Sequence, residues 1–91
     1  MEGRVTIDNS NEVRERLTAA LRLKPPQLDV DLSRVTYIDL SGLATLLEAT
    51  RIARGQNGRL LLKGIQGQVA YLLEATHLAE LFDIVPEQQP A

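Results

Sequence analysis

The sequence predicts an α/β layered domain: a small mixed sheet of about four strands with helices packed mainly on one face. Three observations carry that prediction. Short apolar runs of strand character alternate with longer runs at helical spacing. The implied order, β-α-β-α-β-α-α, is that of parallel neighbours joined by crossover helices. A chain of 91 residues with 44% hydrophobic content makes one globular domain. That domain is expected over residues 1–85, with a flexible tail over 86–91.

Each element has a local reason. Arg4-Val5-Thr6-Ile7-Asp8 alternates Val5 and Ile7 and reads as a strand. Asn9 reads as the cap of a first helix, with Glu12 at capping-box spacing. Val13, Leu17, Ala20 and Leu21 form the inward face of that helix, which is expected to run to about Leu23. Pro25-Pro26 breaks it. Leu28-Asp29-Val30-Asp31-Leu32 alternates strictly as a second strand, and residues 33–38 continue as a turn and a short extended piece. Asp39-Leu40-Ser41-Gly42 opens a second helix with Leu43, Leu46 and Leu47 on its core side, and Gly55 reads as its stop. Arg59-Leu60-Leu61-Leu62-Lys63 is an unbroken apolar run, the pattern of a strand buried on both faces. Gln66–Thr76 reads as a third helix, His77–Phe82 as a short fourth, and Ile84-Val85 as a closing strand or packing segment. The expected core is Leu32, Ile38, Leu43, Leu46, Leu47, Leu61, Val69, Leu72 and Leu73.

Composition removes several functions. There is no cysteine, hence no thiolate chemistry and no Cys-ligated metal, and there is a single histidine. No metal site and no cofactor is expected. Ten bases against twelve acids and only three aromatic residues give neither the basic patch nor the stacking platform of a nucleic-acid binder. No apolar run reaches the length of a membrane span, and Met1-Glu2-Gly3-Arg4 carries no apolar leader, so the expected location is cytoplasmic. A serine hydrolase needs Gly-x-Ser-x-Gly, and Asp39 stands where the first glycine belongs. No phosphate-cradling Gly-rich loop is present. No catalytic residue is expected. Asp29 and Asp31 read as a solvated strand face.

The informative stretch is Asp39-Leu40-Ser41-Gly42. Read plainly, Asp39 or Ser41 caps the second helix and Gly42 fits a tight entry. Read more sharply, a serine at a helix start is a possible phosphoacceptor, because the free N–H groups there tolerate a phosphate. Along the same helix, with Leu43 at zero, Leu46, Leu47 and Thr50 fall within about 60°. Ile52 falls on the opposite side, beside Thr45 and Ala49. That places apolar surface away from the expected core stripe.

The run Val30–Glu48, with Asp39-Leu40-Ser41-Gly42 at its centre, resembles the STAS domain, the fold of bacterial anti-sigma factor antagonists. The likeness extends over Gly3–Asp8, Gly58–Leu62 and Val69–Ile84, nearly the whole chain. It implies a protein-binding module that does no chemistry. The partner it implies is an anti-sigma factor, a serine kinase, whose capture frees a sigma factor. A related branch implies instead a small STAS subunit on the ATPase of an Mla-type phospholipid ABC transporter; stressosome-type scaffolds are a third branch. The resemblance places partner binding on Asp39, Leu40, Ser41, Gly42, Thr45, Glu48, Ala49 and Ile52. Two departures stand out. Leu40 occupies the family's switch position and has no hydroxyl, so either Ser41 is the acceptor or the switch is lost. The strand that family members carry before the one at Arg4–Asp8 has no counterpart, which exposes a sheet edge and suggests a homodimer or a late start.

Overall fold

The computed structural model describes residues 1–86. The expected flexible tail therefore falls, past Pro86, outside the described residues. The elements run β1 (Glu2–Val5), α1 (Ser10–Leu21), β2 (Gln27–Asp31), β3 (Arg34–Ile38), α2 (Leu40–Gly55), β4 (Arg59–Lys63), α3 (Gly67–Thr76), a 3₁₀ turn (Ala79–Leu81) and β5 (Asp83–Ile84). The α/β class and the element order are those expected. Among the described residues the strands number five rather than about four, and they form two sheets in which every ladder is parallel, not the one mixed sheet expected. Parallel pairing follows from the connections, since a helix carries the chain back after β1, β3 and β4.

β2 and β3 are two halves of one extended run broken at Leu32 and Ser33. The first half pairs with β4 over Gln27↔Arg59 to Asp31↔Lys63, and β4 pairs onward with β5. The second half pairs with β1 from Glu2↔Arg34 to Val5↔Ile38. The break is built by Asp31, whose Oδ1 accepts the Ser33 N–H at 2.9 Å. That bond holds the Asp31 carboxyl below the usual aspartate range. The far edge of β3 is satisfied by a side chain. Gln68 of α3 accepts from the Ile38 N–H and donates to the Ile38 carbonyl, both at 2.8 Å, as a neighbouring strand would.

The core lies between the sheet and the helices. Leu32, Ile38, Leu43, Leu46, Val69 and Leu73 are buried as expected, joined by Val5, Leu17, Leu21, Val30, Leu60 and Leu62. Leu47 and Leu72 are half-buried at its margin; Leu61, alternating with Leu60 and Leu62, is half-buried on the other face of β4, so that strand is fully buried on one face and not on both as expected. The first strand stops at Val5; Thr6–Asn9 is a turn, and Ile7 points into solvent. The second helix runs through Gly55, and it is Asn57, at φ 63°, that takes the left-handed conformation after it. The expected fourth helix is only the 3₁₀ turn.

Candidate functional site

The site is the junction where the β1–α1 turn meets the start of α2. Asp39 organises it with both carboxylate oxygens and its own backbone. Oδ1 accepts the Gly42 N–H at 2.9 Å, the cap expected for a helix that starts at Leu40. Oδ2 accepts the Ile7 N–H at 3.1 Å from the other loop. The Asp39 N–H donates to the Val5 carbonyl at 3.2 Å. One aspartate thus closes α2 and clamps the neighbouring turn to it.

Asn9 holds the turn from the other side. It does not cap α1 with its side chain. Its Oδ1 accepts the Thr6 N–H at 2.9 Å, and its Nδ2 donates to the Arg4 carbonyl at 2.7 Å. These bonds end β1 one residue before Thr6, and they explain why the Val5/Ile7 alternation does not continue as a strand. The result is a rigid rim from which Ile7 (75% exposed) and Leu40 (59% exposed) project. These are two large apolar side chains left in solvent beside a hydrogen-bonded frame, so the free domain gains no burial from either. The sequence reading missed Ile7 by assigning it to a strand.

Gly42 belongs to the frame rather than to the surface. A Cβ on it would lie 2.8 Å from the Val5 carbonyl oxygen and against the Ile38 side chain. Only glycine lets α2 approach β1 and β3 this closely. Ser41 is half-buried, and its Oγ donates to Ser10 Oγ at 3.1 Å, with Ser10 itself buried at the start of α1. As a candidate phosphoacceptor, Ser41 is thus already engaged between the two helix starts.

The faces of α2 differ from the expected ones. Thr45 (2% exposed) and Ala49 (4% exposed) are buried, not displayed. They lie in the crease between α1 and α2, beside Leu17 and Thr18. The physical reason is that α2 has two partners. The sheet covers one side and α1 the next, so the buried arc spans about 160° rather than the ~100° of a helix lying on one layer. Small residues are what a close helix contact accepts. Ile52 is half-buried on the shoulder of that arc and Glu48 is exposed, with its Oε2 2.7 Å from Arg14 Nε of α1. The outward row is instead Leu40, Ala44, Leu47 and Arg51, and an open groove there is lined by Ala44, Leu47, Glu48, Arg51 and Ile52. Of the eight expected contact residues, Asp39, Leu40, Ser41, Glu48 and Ile52 border this rim and groove, and Gly42, Thr45 and Ala49 lie beneath it.

The chemistry presented is apolar contact. The Asp39 carboxylate is occupied by two backbone N–H groups and the Ser41 hydroxyl by Ser10. His77 lies at the end of α3, in the left-handed conformation. Among the described residues no three His, Cys, Asp or Glu side chains gather as a metal cluster would.

A family model described as Mlab, STAS domain, matches residues 1–86. A candidate anti-sigma factor antagonist from Thermotoga maritima superposes with a TM-score of 0.84 at 18% identity, covering 94% of this chain and 74% of that one. The unphosphorylated form of the anti-sigma factor antagonist SpoIIAA superposes at 0.72 and 13% identity, covering 97% and 76%. At those identities the likeness is one of fold. A protein of Arabidopsis thaliana named "Probable sulfate transporter 3.5" is 33% identical over 75 residues. That match covers 79% of this chain, which spans only 12% of the transporter.

Proposed function

The chain belongs to the STAS domain family, and from that premise we propose that it is a non-catalytic protein-interaction module that docks its partner on the Leu40–Ile7 rim and the outward row of α2. The observation that carries the reading is the rim itself: two exposed apolar side chains on a frame fixed by Asp39 and Asn9. A rigid frame costs little ordering entropy on association, so apolar contact made there is retained as affinity. The first partner to test is an anti-sigma factor kinase, in keeping with two structural neighbours described as anti-sigma factor antagonists. The domain would then act from the cytoplasm by freeing a sigma factor for transcription.

A second partner is favoured by the matched family model, whose description is Mlab, and by Leu40, which offers no hydroxyl at the family's switch position. It is the ATPase of an Mla-type phospholipid ABC transporter, to which the chain would be the small accessory subunit. Affinity capture with the tagged chain, run beside Leu40→Glu, separates the cases. The module reading expects one protein held by the parent chain and lost by Leu40→Glu. An anti-sigma kinase identifies the first reading and an ABC ATPase the second, and capture unaffected by Leu40→Glu rejects the docking face.

Phosphorylation is not expected to switch this face. Incubation with a cognate kinase and ATP, followed by mass spectrometry, should leave Ser41 largely unmodified; stoichiometric phosphate there would show that Ser41 has taken over the role. A homodimer through the outer edge of β1 also fits, since among the described residues β1 pairs only with β3. Light scattering at high micromolar concentration tests it, and a monomeric mass would reject it.

A further inference from the structure

We propose that the end of the domain opposite the docking rim is a membrane-facing tip, an exposed basic surface carrying Leu23 that seats on an anionic bilayer. The two ends are separated by α1. That helix begins beside α2, where Ser10 and Ser41 touch, and its twelve residues carry the chain about 18 Å away before Arg22-Leu23-Lys24. Leu23 is 85% exposed, more than any other large apolar side chain among the described residues.

The exposure is imposed by the backbone. The Arg22 N–H donates to the Thr18 carbonyl at 3.0 Å, and the Lys24 N–H to the Leu21 carbonyl at 2.9 Å. Lys24 sits at φ 50°, in the left-handed region that residues other than glycine seldom occupy. The next turn locks against this one. The Arg59 N–H donates to the Pro26 carbonyl at 3.1 Å, and Gly58 packs so closely on the Pro25 carbonyl that a Cβ would lie 2.7 Å from it. Leu23 is therefore held out by two interlocked turns.

Charge defines what it meets. Arg22, Lys24 and Arg59 are exposed, and none takes part in an ion pair among the described residues. Residues 22–27 and 55–59 contain no acid. Of the acids on neighbouring elements, Asp29 is paired with Lys63, Asp83 with Arg54, and Glu80 is exposed on the 3₁₀ turn beside β5. An exposed apolar side chain with a cation on either side in sequence, and Arg59 on the adjoining turn, matches the boundary between anionic headgroups and acyl chains, which accepts it with no shape complementarity. The two ends are compatible: the rim stays free while the tip rests on lipid.

The test is co-sedimentation of the full chain with phosphatidylcholine vesicles, plain or with about one-third phosphatidylglycerol. The proposal expects binding at least about tenfold stronger to the anionic vesicles, weakened at high salt. Leu23→Ser and Lys24→Glu should each reduce it by about tenfold or more. Arg22→Glu should do the same, and Leu40→Glu should leave it unchanged. Circular dichroism of each variant should match the parent, since these side chains are exposed. Absence of binding, equal binding to plain vesicles, or indifference to Leu23→Ser and Lys24→Glu would overturn the proposal. So would retention by soluble polyglutamate but not by vesicles, which would make the tip a site for an acidic protein.

Discussion

Gly42 and Leu40 stand two residues apart at the start of α2 and behave oppositely. Gly42 faces inward, where the Val5 carbonyl oxygen and the Ile38 side chain leave room for no side chain at all. Leu40 faces outward, where nothing in the fold requires a leucine. Packing accounts for the inner residue; for the outer one, packing in the free domain gives no reason. The same contrast runs down the helix. Leu43, Leu46, Ala49 and Ala53 are buried under the sheet and α1, while Leu40, Ala44 and Arg51 form the outward row. Changes on the inner side should cost stability, and changes on the outer side should cost binding.

The largest stability effect is expected from the inner side. Leu46→Ala removes a fully buried side chain and should cost about 2–5 kcal/mol, read as a lower urea midpoint at constant slope. Gly42→Ala should cost about 1–3 kcal/mol by overpacking, even though alanine is the better helix former. A gain of stability there would show that α2 is not pressed against β1 as described.

Asp39→Ala tests the seam between the two sides. It removes the cap on Gly42 and should cost about 0.5–2 kcal/mol. It also releases the Ile7 N–H, so amide exchange in Thr6–Asp8 should accelerate more than exchange elsewhere in the molecule. Ser41→Ala should cost less, because Asp39 supplies the cap and only the Ser10 contact is lost.

How far the sequence alone reached follows the same division. Period and capping are local, and they were legible: Arg59–Lys63 as a strand, a cap for α2 at Asp39 or Ser41, of which the structure uses Asp39, and the burial of Leu43 and Leu46. What neighbours do was not legible. Thr45 and Ala49 looked outward because a helical wheel shows an apolar stripe but not how many layers close on it. Ile7 looked like strand because alternation carries no sign of the side-chain bonds from Asn9 and Asp39 that turn the chain. Gln68 finishing the edge of β3 had no sequence signal, since a glutamine on a helix is ordinarily solvated.

The smallest effect expected is in acid. Asp29 is held below the usual aspartate range chiefly by its bond from Lys63, and then by Gln27; Asp31 is held there by the Ser33 N–H. A carboxylate whose folded pKa lies below its unfolded value contributes stability above the unfolded value, about pH 4, and loses it as pH falls through the folded one. Both groups are exposed, so the decline should be shallow. Thermal melts between about pH 5 and pH 3 should fall slightly less steeply for Asp31→Asn than for the parent, while vesicle and partner binding near neutral pH stay unchanged.

The outer side of α2 is proposed as a docking face that folding does not need. The direct measurement pairs partner affinity with urea stability for Leu40→Glu and Ile7→Glu, against Leu46→Ala as the inner-side reference. Both outer variants should bind the partner at least about tenfold more weakly, with stability within about 0.5 kcal/mol of the parent. Normal binding by both outer variants, or unfolding as severe as that of Leu46→Ala, would contradict the proposal.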